Sequence, residues 1–302
     1  MEKLEADIVI VGTGASGLFA ALHVPSDKKV IMLTKSDAEN SDSFLAQGGI
    51  CVLRDKNDFD SFMEDTMKAG HYENRKESVE IMINSSRDTI NELIGYGVDF
   101  ATKDGELDYT REGAHSKPRI LFHEDITGKE ITSTLLGAVR KLENVTIMEY
   151  VTMTDIIEKD NVCYGVLAKD ANNNEMCIEA GYTIFACGGI GGLYDHSTNY
   201  PHLTGDAIAI AIQHGIKLEN VDYVQIHPTT LYTKKKGRAF LISESVRGEG
   251  AKLYGKDGNR FANEVLPRDI MTQKIREQMK KDDMPYVWMD MTVLGEEVIK
   301  NH

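Results

Sequence analysis

One segment near the start of the chain restricts the fold more than any other. Asp7 to Val11 is a short β-branched run, Gly12-Thr13-Gly14-Ala15-Ser16-Gly17 follows it, and Leu18-Phe19-Ala20-Ala21-Leu22 has the composition of a helix. A second apolar run, Val30-Ile31-Met32-Leu33, comes where the next strand belongs. Strand, G-x-G-x-x-G turn, helix and strand within about 30 residues predict a βαβ unit of an α/β fold. The glycines permit a tight turn and close backbone approach, and the helix N-terminus directs its N–H groups at a pyrophosphate. The usual fingerprint carries an acidic residue at the end of the second strand, but this chain reads Leu33-Thr34-Lys35 there. That departure argues against a nicotinamide dinucleotide. Two readings stand for Lys35: a cation that reaches a phosphate or ribose oxygen, or a solvated lysine at a strand end.

Further along, Ala46-Gln47-Gly48-Gly49-Ile50 precedes a stretch from Phe59 to Leu93 with apolar residues at helical spacing, which Gly95-Tyr96-Gly97 is predicted to end. Gly128 to Leu142 reads as another helix. Short β-rich runs occupy Val145 to Ile184, with Asp170 to Asn174 as the turn between Val162–Lys169 and Glu175–Glu179, so a β-meander is predicted as an insertion in the α/β fold. A buried strand is expected at Tyr182 to Cys187, leading into the glycine loop Gly188 to Gly192. Asp206 to Gly215 reads as helical. Beyond about Asn220 the chain turns polar with little apolar periodicity, which predicts two domains, residues 1–220 and 221–302. No internal repeat or low-complexity tract is evident.

Charge narrows the partners. The chain holds 34 Lys and Arg against 48 Asp and Glu, a net charge of −14, which argues against a nucleic-acid partner. No apolar run approaches the ~20 residues of a membrane span, and the N-terminus lacks a secretory layout, so a cytoplasmic protein is expected. Cys51, Cys163, Cys177 and Cys187 show no C-x-x-C pair and predict neither a zinc site nor a disulfide framework.

Three polar motifs remain. Thr110-Arg111-Glu112-Gly113-Ala114-His115-Ser116 joins a cation, an anion and an imidazole at a small-residue bend, and is otherwise an ordinary polar loop. His227 precedes Pro228, which holds its backbone extended; it is either a positioned ligand or a structural histidine. Glu244, Arg247, Glu249 and Arg268 lie in short Gly- or Pro-marked segments rather than on one helical face. Together they describe a site for a small anionic substrate near a dinucleotide, because an arginine fork suits carboxylates.

These motifs resemble, in order and over essentially the whole chain, the flavoprotein family of fumarate reductases, succinate dehydrogenase flavoprotein subunits and L-aspartate oxidases. Gly12 to Gly17, Asp42 to Gly49, Ala186 to Gly189, Thr204 to Asp206, Gln225 to Pro228, Arg247 to Gly250 and Pro267 to Asp269 carry the resemblance. Three features are similar to the oxidase branch: Asp42 stands where the dehydrogenases carry a histidine bonded to flavin, the loop Thr110 to Ser116 is of the oxidase kind, and Pro267 precedes Arg268. The resemblance implies a Rossmann-like FAD-binding domain with an inserted β-meander, followed by an α+β capping domain, and noncovalent FAD. It implies oxidation of L-aspartate to iminoaspartate by hydride transfer to the flavin, with oxygen or fumarate as acceptor. That is the first step of the quinolinate route to NAD, so quinolinate synthase is the suggested partner.

Site residues carry over the same way. Arg268, Glu112, Glu244 and Arg247 are the expected catalytic groups, with Glu112 facing the substrate ammonium and the others forming a proton relay. His227, Ser243 and His115 are expected to bind substrate. The expected cofactor residues are Gly12, Thr13, Gly14, Ala15, Ser16, Gly17, Lys35, Asp42, Ser43, Phe44, Leu45, Ala46, Gln47, Gly48, Gly49, Gly188 and Asp206; no metal is expected. Ala114 departs from the family's glycine. Family members also continue into a second flavin-binding segment, so the capping domain is expected to be incomplete at residue 302. The alternatives are a soluble fumarate reductase or succinate dehydrogenase-type flavoprotein, and an inactive fragment.

Overall fold

The computed structural model describes residues 1–296. Two compact units are formed. The first comprises Met1–Ala46, Gly128–Asp222 and Lys235–Arg238; the second comprises Gln47–Thr127, Tyr223–Lys234 and the described residues from Ala239 on. Residues 47–127, grouped with the N-terminal domain on sequence, thus pack with the second unit. Local sequence could not show this, because unit membership depends on contacts made far along the chain.

The first unit is built on strands β1 (Glu2–Val11), β2 (Val30–Thr34), β3 (Val145–Glu149), β4 (Thr152–Lys159), β5 (Val162–Lys169) and β6 (Glu175–Phe185). They form one sheet in the order β3-β2-β1-β6-β5-β4. Pairings β3–β2, β2–β1 and β1–β6 are parallel, whereas β6–β5 and β5–β4 are antiparallel. The register runs Ile8↔Val30 on one side of β1 and Val11↔Phe185 on the other. Parallel strands covered on both faces read as continuous apolar runs. All five residues of β2 are accordingly buried, as are Val9, Ile10 and Val11 at the end of β1. The core includes Val9, Ile31, Leu33, Val166 and Ile178, with Ile210 from the helix Asp206–Gln213.

The meander is therefore continuous with the main sheet, and its last strand supplies the parallel partner of β1. The run Glu175–Glu179 and the first part of the run Tyr182–Cys187 form one 11-residue strand, Glu175–Phe185, with Ala186 and Cys187 beyond its end. The expected burial of its end is overturned, since Tyr182 is 73% exposed and Phe185 is also exposed. Pairing with β1 orders this backbone without covering these two side chains. The turn before it is held by Asp170, whose carboxylate accepts from the amides of Asn172 and Asn174, both at 2.8 Å.

In the second unit the helical pattern from Phe59 resolves into two helices, Phe59–Ala69 and Lys76–Tyr96. Gly70 caps the first, and His71 and Tyr72 adopt positive φ, so the chain turns before the second begins. Gly97, at φ 104°, ends the second as predicted. Phe62, Val79 and Ile83 pack between them. A 15-residue helix, Arg268–Asp282, also forms in the segment that lacked periodicity. Its buried apolar stripe is narrow, Met271 and Ile275 against Leu253. Among the described residues, no helix is long and apolar enough to cross a membrane.

Candidate functional sites

The first unit carries a cavity of about 380 Å³ at the C-terminal ends of β1 and β2. Val11, Gly12, Thr13, Gly14 and Ser16 line it from the first glycine loop, and Leu33 to Lys35 from β2. Gly12 sits at φ 117°, and a Cβ there would stand 2.1 Å from the Ala186 carbonyl oxygen, so only glycine fits. The helix Ala15–Leu22, α1, starts at this loop, and its capping residue Gly14 brings no side chain to cover the N-terminus. Gly17 is buried within α1 and close to the Gly12 carbonyl; it serves helix–strand packing rather than the cavity.

Asn40, Ser41, Asp42 and Ser43 form another wall. Ser41 Oγ caps the short helix Asp42–Leu45 by accepting from Phe44 N at 3.3 Å, and Ser43 Oγ accepts from Ala15 N at 3.1 Å. Asp42 accepts from Tyr200 N at 2.9 Å and from the Asn199 side-chain amide. Burial raises its pKa, with that backbone N–H opposing. Phe44, Leu45 and Ala46 do not line the cavity; Phe44 instead stacks under the Lys129 ammonium, 5.9 Å away. Gln47, Gly48 and Gly49 belong to the second unit.

Lys35 lines the first cavity and is not a solvated lysine. Its Nζ lies 2.6 Å from Asp206 Oδ2 and donates to Thr204 Oγ1 at 2.8 Å, with both charged side chains about one-quarter exposed. Asp206, at the start of another helix, thus brings a carboxylate to Lys35 beyond the end of β2. Gly188, at φ 70°, also lines the cavity, as do Cys187 and His202, which the motifs did not single out as cofactor residues. The glycine turn and the start of α1, where the Ser43 hydroxyl accepts from Ala15 N, fit the phosphate-bearing part of a dinucleotide such as FAD.

The second unit carries a separate cavity of about 670 Å³. Glu112, His115, Ser243, Glu244 and Arg247 line it, as do Gln47, Gly48 and Gly49. Gly49 N donates to Glu112 Oε1 at 3.2 Å. Burial raises the Glu112 pKa, the Gly49 amide opposes it, and Glu244 adds to the rise. Ser243 precedes the short helix Glu244–Gly248, which puts Glu244 and Arg247 one turn apart. Arg247 is 2% exposed and donates from Nη1 to the Glu264 carbonyl at 2.6 Å, but its Nε and Nη2 have no hydrogen-bond partner. Nη2 stands 3.9 Å from Glu244 Oε2.

Arg268 opens its helix directly after Pro267, and its Nε donates to Glu244 Oε2 at 2.6 Å. Its Nη1 donates to Gln225 Oε1 at 2.9 Å, so the Gln225–Pro228 motif supplies a partner to this guanidinium. His227 Nδ1 lies 3.0 Å from the Thr229 carbonyl. Burial, then the nearby Arg268 guanidinium, pushes the His227 pKa down to about 4, so the ring is neutral near pH 7. His115 has both ring nitrogens engaged, Nε2 by Cys51 Sγ at 3.5 Å and Nδ1 by Arg119 Nη1 at 3.1 Å. Arg119, Asp58 and Asp65 were missed on sequence. The arginine is 54 and 61 residues from these carboxylates, and no motif spacing links them.

Comparison with known proteins places the chain in a family. Residues 7–302 match the family model described as FAD binding domain. The chain is 44% identical over 300 residues to L-aspartate oxidase of Clostridium perfringens, covering 99% of this chain and 68% of that protein. It is likewise 44% identical over 299 residues to L-aspartate oxidase of Clostridium acetobutylicum, covering 98% of this chain and 69% of that one. Among solved structures, the E. coli quinol fumarate reductase flavoprotein superposes with a TM-score of 0.90 at 26% identity, covering 99% of this chain and 56% of that chain. The chain thus spans about two thirds of these oxidases and just over half of the reductase chain. It has an α/β FAD-binding fold like the matching part of the reductase, and it belongs to the FAD binding domain family as a homologue of the L-aspartate oxidases.

Proposed function

We propose that this chain carries the flavin-binding and substrate-recognition groups of an L-aspartate oxidase, which converts L-aspartate to iminoaspartate with noncovalent FAD. The observation that carries this reading is the charge layout of the second cavity. The cavity wall carries Arg111, Glu124, Asp125, Glu249, Glu244 paired to Arg268 and Glu264 paired to Arg260, and with them a half-buried carboxylate, Glu112, and a buried guanidinium, Arg247, whose Nε and Nη2 lack hydrogen-bond partners. A substrate with one ammonium and two carboxylates matches that layout, whereas succinate would leave Glu112 without a cation. The 44% identity to two L-aspartate oxidases supports the same substrate.

In this reading the first unit binds the cofactor and the second the substrate. Gly12 to Ser16, Ser43 and Asp42 hold FAD, and the flavin supplies a hydride acceptor for C2 of the substrate. Asp42 is engaged by Asn199 and Tyr200, and its carboxylate offers no imidazole for covalent attachment, which supports a noncovalent flavin. Glu112 pairs with the substrate ammonium and takes the proton that nitrogen sheds as the imine forms. Its raised pKa makes it a better proton acceptor than an exposed carboxylate.

Arg247 and Arg268 stabilise the substrate carboxylates, with Glu244 holding Arg268 in place and standing 3.9 Å from Arg247 Nη2. Ser243 and neutral His227 add hydrogen bonds without adding charge. Oxygen and fumarate are both suitable acceptors for the reduced enzyme, and the product suits a condensing enzyme such as quinolinate synthase. Anaerobic titration of the FAD-loaded protein tests the proposal. L-Aspartate is expected to bleach the flavin absorbance and succinate to leave it; bleaching by succinate alone would falsify the assignment.

A further inference from the structure

Arg119 is fully buried in the second unit, and its guanidinium has five N–H donors and no acceptor. All five have a partner. Nε donates to Asp58 Oδ2 at 3.0 Å, and Nη2 donates to Asp58 Oδ1 at 2.9 Å and Ser61 Oγ at 3.1 Å. Nη1 donates to Asp65 Oδ2 at 2.5 Å and is left with one hydrogen, aimed at His115 Nδ1 at 3.1 Å. A guanidinium cannot accept, so Nδ1 must accept, and the ring proton then sits on Nε2. Nε2 faces Cys51 Sγ at 3.5 Å. Burial pushes the Cys51 thiol up to about 11, so the sulfur is a neutral thiol that receives this N–H.

The same network ties down the loop. Asp65 Oδ2 also accepts from Ser116 N at 2.8 Å and Ser116 Oγ at 2.7 Å, and Gly49 N holds Glu112 at the other end. Backbone pairing of Ile50–Cys51 with Ile120–Leu121 joins the two supports.

We infer that Arg119 is a positioning residue that fixes His115 as a neutral imidazole protonated on Nε2 and anchors the Glu112–Ser116 loop. Its consequence for substrate choice rests on the oxidase reading. A charged His115 would add a cation to the wall of the cavity that takes the substrate ammonium, and Arg119 prevents this charge from forming. The charged and titratable groups around His115 are Arg119, Asp58, Asp65 and Glu244, with Cys51 at its Nε2 and Lys117 beside Asp58. Burial and then the Arg119 cation lower its pKa, against the three carboxylates.

The test is ¹⁵N NMR of the histidine-labelled 302-residue chain, with the His115 signals identified by their loss in His115→Gln. Bare Nδ1 and protonated Nε2, retained at pH about 6.5 where free histidine is half charged, are expected. Protonated Nδ1, or a charged ring at that pH, would overturn the inference. This readout needs no catalysis, so it separates the inference from the oxidase assignment. Arg119→Lys replaces the fork by a point donor, and His115 is then expected to titrate nearer its ordinary value. In that variant the KM for L-aspartate should rise by about fivefold from pH 8 to pH 6 relative to the native protein, the size of a roughly 1 kcal/mol repulsion. An unchanged His115 tautomer and an unchanged pH profile in a folded Arg119→Lys protein would also overturn it.

Discussion

Glu112 is where charge decides between substrates that differ by one amino group. Replacing it by glutamine removes the partner of the ammonium while keeping the group that accepts from Gly49 N. A hydrogen bond to a charged group contributes about 1.5–3 kcal/mol, so Glu112→Gln should lower kcat/KM for L-aspartate by roughly 10- to 100-fold. Succinate binding, measured by competition, should be unchanged or tighter. Because the Glu112 pKa is raised, L-aspartate binding should weaken as pH falls through a value above that of an ordinary carboxylate, and this acidic limb should vanish in Glu112→Gln. His227 gives a second pH signature. Its folded pKa of about 4 lies below the unfolded value of 6.5, so the unfolded chain binds more protons between these limits. The stabilising effect of neutral His227 is complete above pH about 6.5 and lost as pH falls to about 4, at most about 3 kcal/mol in all. His227→Gln should flatten the dependence of Tm on pH across that window. Glu112, Glu244, Arg247 and Arg268 were legible in the sequence because each lies in a short motif. Arg119 was not, because its meaning depends on carboxylates brought to it by a separate helix.

At the scale of elements, the βαβ unit was legible because its chemistry is local: the turn, the helix start and both strands are consecutive. Gly12→Ala should abolish FAD retention and lower Tm, since its Cβ would collide with a backbone carbonyl rather than with a side chain that can move. Retention of flavin by this variant, measured after gel filtration, would contradict the cradle. The loop carrying Glu112 makes the opposite prediction. Ala114 has φ 68°, a left-handed conformation that costs an L-residue about 1–2 kcal/mol. Ala114→Gly relieves that cost while adding entropy to the unfolded chain, so a net gain of up to about 1 kcal/mol, or about 2 °C in Tm, is expected. The longer elements were legible in outline only. The break at Gly70 was hidden by apolar spacing that continues across it, and the helix Arg268–Asp282 was hidden by its narrow apolar stripe.

For the whole molecule, the consequential fact is that each cavity is lined entirely from one compact unit. The units also have their own apolar clusters, around Val9 and Ile178 in the first and around Phe62 and Met271 in the second. A ligand stabilises the backbone that it touches by RT ln(1 + [L]/Kd), about 2.7 kcal/mol at one hundred times Kd. Local opening then slows by about 100-fold where exchange runs through the ligand-free state. ADP, which offers the pyrophosphate without the flavin, should therefore protect amides of Gly12 to Ser16 and of Ser43 from hydrogen exchange. Succinate should protect Gly48, Gly49 and residues 243–247. The two protection patterns should not overlap, and Gly12→Ala should abolish the first while leaving the second. Arg247→Met should do the reverse, because it removes a buried cation from the second cavity and changes nothing on the first cavity's lining. A succinate pattern centred on Gly12 to Ser16 would show that dicarboxylates bind at the glycine turn, and the division of labour between the units would fail.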